Sequence, residues 1–570
     1  MPMFGVVDQF EHCCALEQLL SDYALATGET SILCLAKASA DAAVTAGRCL
    51  LAPDPIEQAR LRAQATAIER QFESIRSSLH PGRVYNLQTI EGGLPLWPVV
   101  PDCAQSIATD WLRFTRWLDI ELDRYISALQ KEIQAVIVVG IRTGGSYLGP
   151  LVAATIEKRK LKVMYTTVRP IRGEWTGLKR ITLPQDYTFI EIARVGSADL
   201  ILVVDDLIGS GQTAGALRLA IQAQRPRNAL VGAICLAEFQ KDVVKHLLSE
   251  QGFDFALVGA AGEVGGDLWE RRGQFDSMQR TTGSTSALVT EASSLSGKPR
   301  PFPLLWTDKS TTATKVVRYV GSSRLARTQA RNDAKVSGLG IELVGDFAME
   351  PYLPTPVKES DFSKTLNFDH LIQVITKRHN RAISFQVLPD DYWKAANMLL
   401  QRIAQASPSV NFEVLVRQVA SLVPSTKLAM SYTAMPSNAA CRHLRLLHGK
   451  HLVFVSALTL HGDCVGSPIE LMAGLLCDFD LPTPALWSLI HQLGRIAELP
   501  CLVYAMLKHT ARELNRDEYL LMIGDEERPP GWVNARKKRE WLMARRASAI
   551  SGRVQRVVEL FQARHGMKGH

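Results

Sequence analysis

Between Ala135 and Gly262 short apolar runs alternate with helix-forming runs, and this alternation limits the fold more than any other feature of the chain. "AVIVVG" is followed by "SYLGPLVAATIEKRK", "KVMYTTVR" by a long polar stretch, and "LILVVDD" by "QTAGALRLAIQAQR"; "LVGAICLAEF" and "FDFALVGAAG" close the series. Strands separated by helices cannot form hairpins with one another. They pair in parallel, with the helices crossing over the sheet faces. Strands buried on both faces are continuous apolar runs rather than alternating ones, as these are. The expected fold class is therefore α/β, a parallel sheet flanked by helices.

The flanking regions differ in character. Residues 1–84 are rich in Ala and Leu with Gln, Glu and Arg faces, and read as a helical amino-terminal segment. A Gly/Pro-rich passage, "EGGLPLWPVVPD", leads into an amphipathic helix on which Trp111, Phe114, Leu118, Leu122, Tyr125 and Leu129 recur at steps of three and four. Trp111, Phe114 and Trp117 on that helix read as core rather than as a base-stacking platform. The α/β region is expected over 85–280, a Ser/Thr/Gly/Pro-rich linker over 281–303, a mixed α/β carboxyl-terminal domain over 304–528, and a basic helical tail over 529–570.

The chain has 570 residues, too many for one ordinary domain, and a net charge of +8. The last forty residues hold ten Lys or Arg and two acids, so the tail alone carries that excess. In the tail Ile550, Val554, Val557 and Phe561 form an apolar stripe, and "ARKKREWLMARR" interleaves bases with Trp541. That pattern suits a helix docked by its stripe, and its bases make nucleic acid or another anionic partner a candidate ligand of 531–570. No apolar run approaches the length of a membrane span. Ten cysteines at irregular spacing form neither a disulfide framework nor a zinc ribbon, which fits a reducing, cytoplasmic setting. Cys441, His443, His448, His451, His461 and Cys464 cluster without zinc-ligand spacing and read as surface histidines and core thiols.

Two stretches carry chemistry. In "VVDDLIGSGQTAG", Asp205 and Asp206 stand at the carboxyl end of a parallel strand, the edge at which open α/β sheets bind ligands. Leu207 and Ile208 lead to Gly209, Ser210 and Gly211, whose amides are bare of side chains, and a helix begins near Gln212 and Thr213. Small residues and a helix amino end make a phosphate cradle. Two carboxylates beside it favour a ligand that also offers hydroxyls, as a ribose 5-phosphate does. Upstream, "VVGIRTGGSYLG" places Arg142, Thr143, Gly144 and Gly145 directly after the first core strand.

The first stretch resembles the ribose-phosphate-binding motif of type I phosphoribosyltransferases, and the second, in the same order, their pyrophosphate loop. The resemblance covers about residues 85–280. It implies binding of phosphoribosyl pyrophosphate with Mg²⁺ held mainly by the substrate, and transfer of the phosphoribosyl group to a nitrogenous base or amine with release of pyrophosphate. Asp205 and Asp206 would take the ribose hydroxyls. Arg142 would offer a bidentate donor to the diphosphate, and Gly144 and Gly145 would let the backbone approach it. Arg169, and Arg172, Lys179 and Arg180 in the following polar stretch, would neutralise the departing pyrophosphate, where the family carries a closing loop. Members acting on 6-oxopurines usually have an acidic residue at the position of Gly209, so hypoxanthine and guanine are disfavoured acceptors; Glu263 is a candidate base. Regulatory relatives bind the ligand without catalysis. The alternative is therefore a sensing module in a multidomain bacterial stress or defence effector.

Overall fold

The structure, a computed structural model, describes residues 2–27, 30–78, 110–128, 133–142, 144–169, 171–172, 181–182, 198–208, 211–224, 229–237, 241–260, 264, 268–281, 304–307, 313–321, 324–353, 357–358, 361–362, 366–406, 412–434, 444–447, 451–454, 465–524 and 532–566. Three long helices open the chain, α1 (Pro2–Thr27), α2 (Thr30–Leu51) and α3 (Pro55–Ser78). After α4 (Trp111–Ala128) comes the alternating region: β1 (Ala135–Ile141), α5 (Gly145–Glu157), β2 (Lys162–Val168), β3 (Leu200–Leu207), α6 (Gln212–Gln224), β4 (Leu230–Ala237), α7 (Lys241–Glu250) and β5 (Phe255–Ala260).

The five strands form one parallel sheet in the order β2-β1-β3-β4-β5. Side chains alternate between two buried faces, which is why the runs are apolar throughout. Val136, Val138, Leu202, Val204 and Ile234 face one core; Ile137, Val139, Ile201, Val203 and Cys235 face the other. Ala214, Leu217 and Ile221 of α6 and Val244 and Leu248 of α7 cover the second face. Helix α5 covers the first and is buried on every side from Gly145 to Ile156. Its outer surface lies against the amino-terminal helices, whose Phe10, Leu20, Ile32 and Leu61 belong to the same core, as do Trp111, Phe114, Leu118 and Leu122 of α4. The helices of residues 2–27 and 30–78 thus pack as an outer layer over this face of the sheet. The expected long loop after β2 contains two paired short strands, Ile171–Arg172 and Ile181–Thr182.

The next helix, α8 (Leu268–Thr281), sends Phe275 into the core of a second sheet with Leu304, Trp306, Val317 and Phe347. That sheet is antiparallel, built from β6 (Leu304–Thr307), β7 (Thr314–Tyr319), β8 (Glu342–Val344) and β9 (Phe347–Pro351), with α9 (Arg324–Ser337) between β7 and β8. Through Phe275, helix α8 shares the core of this second sheet, although it lies within the stretch expected to belong to the first. Then come α10 (Asp369–His379), β10 (Ile383–Val387), α11 (Pro389–Ala406), α12 (Phe412–Ser421), β11 (Leu428–Ala434), the hairpin β12 (Leu444–Leu447) and β13 (His451–Phe454), and β14 (Val465–Gly466). Strands β10, β11 and β14 make a small antiparallel sheet.

Four helices close the chain: α13 (Glu470–Asp478), α14 (Thr483–Leu493), α15 (Leu499–Gly524) and α16 (Trp532–Gly566). The expected stripe of α16 is buried at Ile550, Val554, Val557 and Phe561. Its arginines do not all face outward. Arg546 pairs with Asp478, Glu513 and Asp517, Arg539 with Asp517, and Arg556 with Asp480. Among the described residues, no helix is long and apolar enough to cross a membrane.

Candidate functional site

The strand order reverses between β1 and β3, which leave the sheet edge side by side while their crossover helices go to opposite faces. In open α/β sheets this switch point is where a crevice forms. Both motif stretches end there. Gly140 of β1 pairs in register with Val204 of β3, so the turn after β1 and the acidic pair after Val204 are neighbours.

They touch. A Cβ on Gly144 would lie 1.9 Å from Cγ of Asp206, and one on Gly145 would lie 2.3 Å from the Val204 carbonyl oxygen. These two glycines are required by close approach of the β1 loop to the end of β3, whatever binds above them. On β3 the pairing with β4 slips: Val204 faces Ile234, whereas Leu207 faces Leu236. The extra residue is a bulge at Asp205–Asp206, a device that re-aims side chains at the end of a strand. Asp205 Oδ1 accepts a hydrogen bond from the Asp206 amide at 2.9 Å, and both carboxylates are half-buried. Beneath them burial, and then the charges of Asp205 and Asp206, push the Cys235 thiol up.

Two helices begin just beyond these strand ends. Helix α5 starts at Gly145, one residue after the contact with Asp206. Helix α6 starts at Gln212, after Gly211 at φ +68°, a left-handed conformation that favours glycine. Thr213 is half-buried in the first turn of α6, and Ile208 is half-buried just beyond β3. The positive end of α5, which begins beside Gly144, offsets the charge of Asp206. Thr143, Lys179, Arg180, Gly209, Ser210 and Glu263 lie outside the described residues, as do the side chains of Arg172, Leu207 and Gln212.

Arg142 does not face the crevice as an open donor. Its side chain is 0% exposed, with Nε on Thr167 Oγ1 at 2.8 Å and Nη1 on Asp22 Oδ1 at 2.9 Å. Arg169, at the end of β2, also reaches Asp22, through Nε at 3.0 Å and Nη2 at 2.6 Å. Glu17 completes the group, accepting from Thr167 and Ser21 and lying 3.9 Å from Arg142 Nε. Burial raises the Glu17 carboxyl above its ordinary range, and the Arg142 charge opposes that shift. A bidentate contact from Arg142 to a ligand would require these bonds to break.

Glu17 and Asp22 are the residues that the sequence did not single out. Helix α1 is buried on most of its surface, so no polar face marks these two carboxylates against their apolar neighbours. The only available signal was a pair of acids within "CCALEQLLSDYAL". No protein-family model matches this chain, and no curated protein matches it.

Proposed function

We propose that the switch-point crevice binds phosphoribosyl pyrophosphate with Mg²⁺ and transfers its phosphoribosyl group to a nitrogenous base or amine, releasing pyrophosphate, on a type I phosphoribosyltransferase-like domain. One observation supports the reading: Gly144 lies against Asp206, so two motifs more than sixty residues apart in sequence meet at one point. In this reading Asp205 and Asp206 accept from the ribose hydroxyls. The amino end of α6 receives the 5-phosphate, and that of α5 the diphosphate. The carboxylates are hard oxygen donors suited to Mg²⁺, which the diphosphate itself carries. Bond breaking at the anomeric carbon puts positive charge on the ribose and negative charge on the diphosphate; the protein positions both and stabilises the charge. Pyrophosphate release from phosphoribosyl pyrophosphate across a panel of bases and amines tests transfer. Release above the rate without acceptor supports it, and none with any acceptor excludes catalysis.

A second reading is favoured by the ion pairs of Arg142 and Arg169. With both cations held by α1, the crevice suits a sensing module that binds the ligand without turnover. The remaining regions would then act on a partner such as nucleic acid in a stress or defence response. Saturable ligand binding without pyrophosphate release would select this reading.

A further inference from the structure

Arg142 and Arg169 are neighbours at the ends of adjacent parallel strands, where Ile141 pairs with Val168 and the Arg142 amide donates to the Val168 carbonyl at 3.0 Å. Two like charges in that arrangement repel each other unless an acid lies between them. Asp22, 2% exposed, is that acid: it takes one bond from Arg142 and two from Arg169. Thr167 links Arg142 to Glu17, so two carboxylates of α1 balance two arginines of the sheet in a buried group. Asp22 lies 120 residues from Arg142 in sequence, so no local preference of the chain sets this contact.

Arg142 also begins the loop that ends on Asp206. One residue separates it from Gly144, whose Cα has no room for even a methyl group on the Asp206 side. With a single residue between them, the position of Arg142 constrains that of Gly144 and of the amino end of α5. We propose that Asp22 is a positioning residue for the diphosphate end of the crevice, acting through Arg142. This inference rests on the ligand reading above. It makes α1 a support of the site.

Thr167→Val tests this with every charge retained, and Asp22→Asn tests it with the bridge removed. Binding of phosphoribosyl pyrophosphate with Mg²⁺ is measured by calorimetry well below each protein's melting temperature. Thr167→Val is expected to weaken binding roughly fivefold or more, since it removes the bond from Arg142 and the bond to Glu17. Asp22→Asn is expected to weaken it about tenfold or more, since it leaves the buried Arg142 and the partly buried Arg169 short of a charged partner. Asp22→Glu is expected to restore part of the loss, which a merely structural role in melting would not require. Wild-type affinity in folded Asp22→Asn overturns the proposal. So does tighter binding by Asp22→Asn, which would make Asp22 a competitor of the ligand for the arginines. If Asp22→Asn does not fold, Thr167→Val decides. Amide exchange over residues 140–148 in the ligand-free protein is the second readout. Faster exchange there in Thr167→Val than in wild type, with β4 unchanged, supports positioning, and identical exchange overturns it. If wild type binds no ligand, the functional reading falls, and the exchange result still decides this one.

Discussion

At the residue scale the two acids and the two glycines after the central strands make opposite demands. Asp205 and Asp206 concentrate negative charge at a bulge, and Gly144 must stay small for the neighbouring loop to lie on Asp206. Gly144→Ala places a methyl group on that carboxylate. A cost of about 1–3 kcal/mol is expected from overpacking, read as a lower midpoint in urea unfolding, together with weaker ligand binding. Transfer to hypoxanthine or guanine should be weak or absent in an assay of the purified protein, because position 209 is glycine and offers no base. The thiols give an independent check on burial. Cys13, Cys477 and Cys501 are pushed up to about 12 by burial, whereas Cys34 is exposed. Alkylation of the native protein at pH 8 followed by mass spectrometry should therefore modify Cys34 and spare those three. Asp205, Asp206 and the glycines were legible because small residues between an apolar strand and a helix leave a local pattern. The fate of Arg142 was not, since its acidic partners come from a helix more than a hundred residues away.

At the element scale, α5 and α16 show how far periodicity reaches. In α16 the stripe was readable: Ile550, Val554, Val557 and Phe561 recur at helical spacing and are buried as that spacing requires. Ile550→Ala should cost about 2–5 kcal/mol in urea unfolding. Where its charges go was not readable, because Asp478, Glu513 and Asp517 come from α13 and α15. The outward face keeps Lys537, Arg545 and Trp541, the last 57% exposed with the Arg545 guanidinium 5.3 Å from its ring. If α16 meets nucleic acid, Lys537→Glu with Arg545→Glu should weaken duplex binding without changing the unfolding midpoint. Wild-type affinity should fall with salt at a slope of roughly −0.9 per phosphate neutralised. Affinity that ignores both the substitutions and the salt would leave α16 as a docked helix with a solvated face. Helix α5 is the contrasting case. It is apolar on all sides because it lies between the sheet and α1 and α2, and an all-apolar helix does not say what covers it.

At the scale of the whole molecule, the parallel sheet, the amino-terminal helices and the crevice are one packing problem. The strand pattern specified the sheet, but nothing in residues 1–78 said that they would close one of its faces. Their apolar residues carry no mark of their partner. Removing residues 1–78 should expose α5, strip Asp22 from two arginines and leave the remaining chain aggregated or without a cooperative unfolding transition. The claim that the switch point is a phosphoribosyl pyrophosphate site is tested most directly by calorimetric titration of that ligand with Mg²⁺. Wild type is compared with the Asp205→Asn, Asp206→Asn double variant, each first shown to be folded by circular dichroism. The account predicts saturable binding by the wild type. In the variant, loss of about 1.5–3 kcal/mol for each charge-assisted contact should take binding out of reach of the titration. No binding by the wild type, or equal affinity in the two proteins, would contradict it.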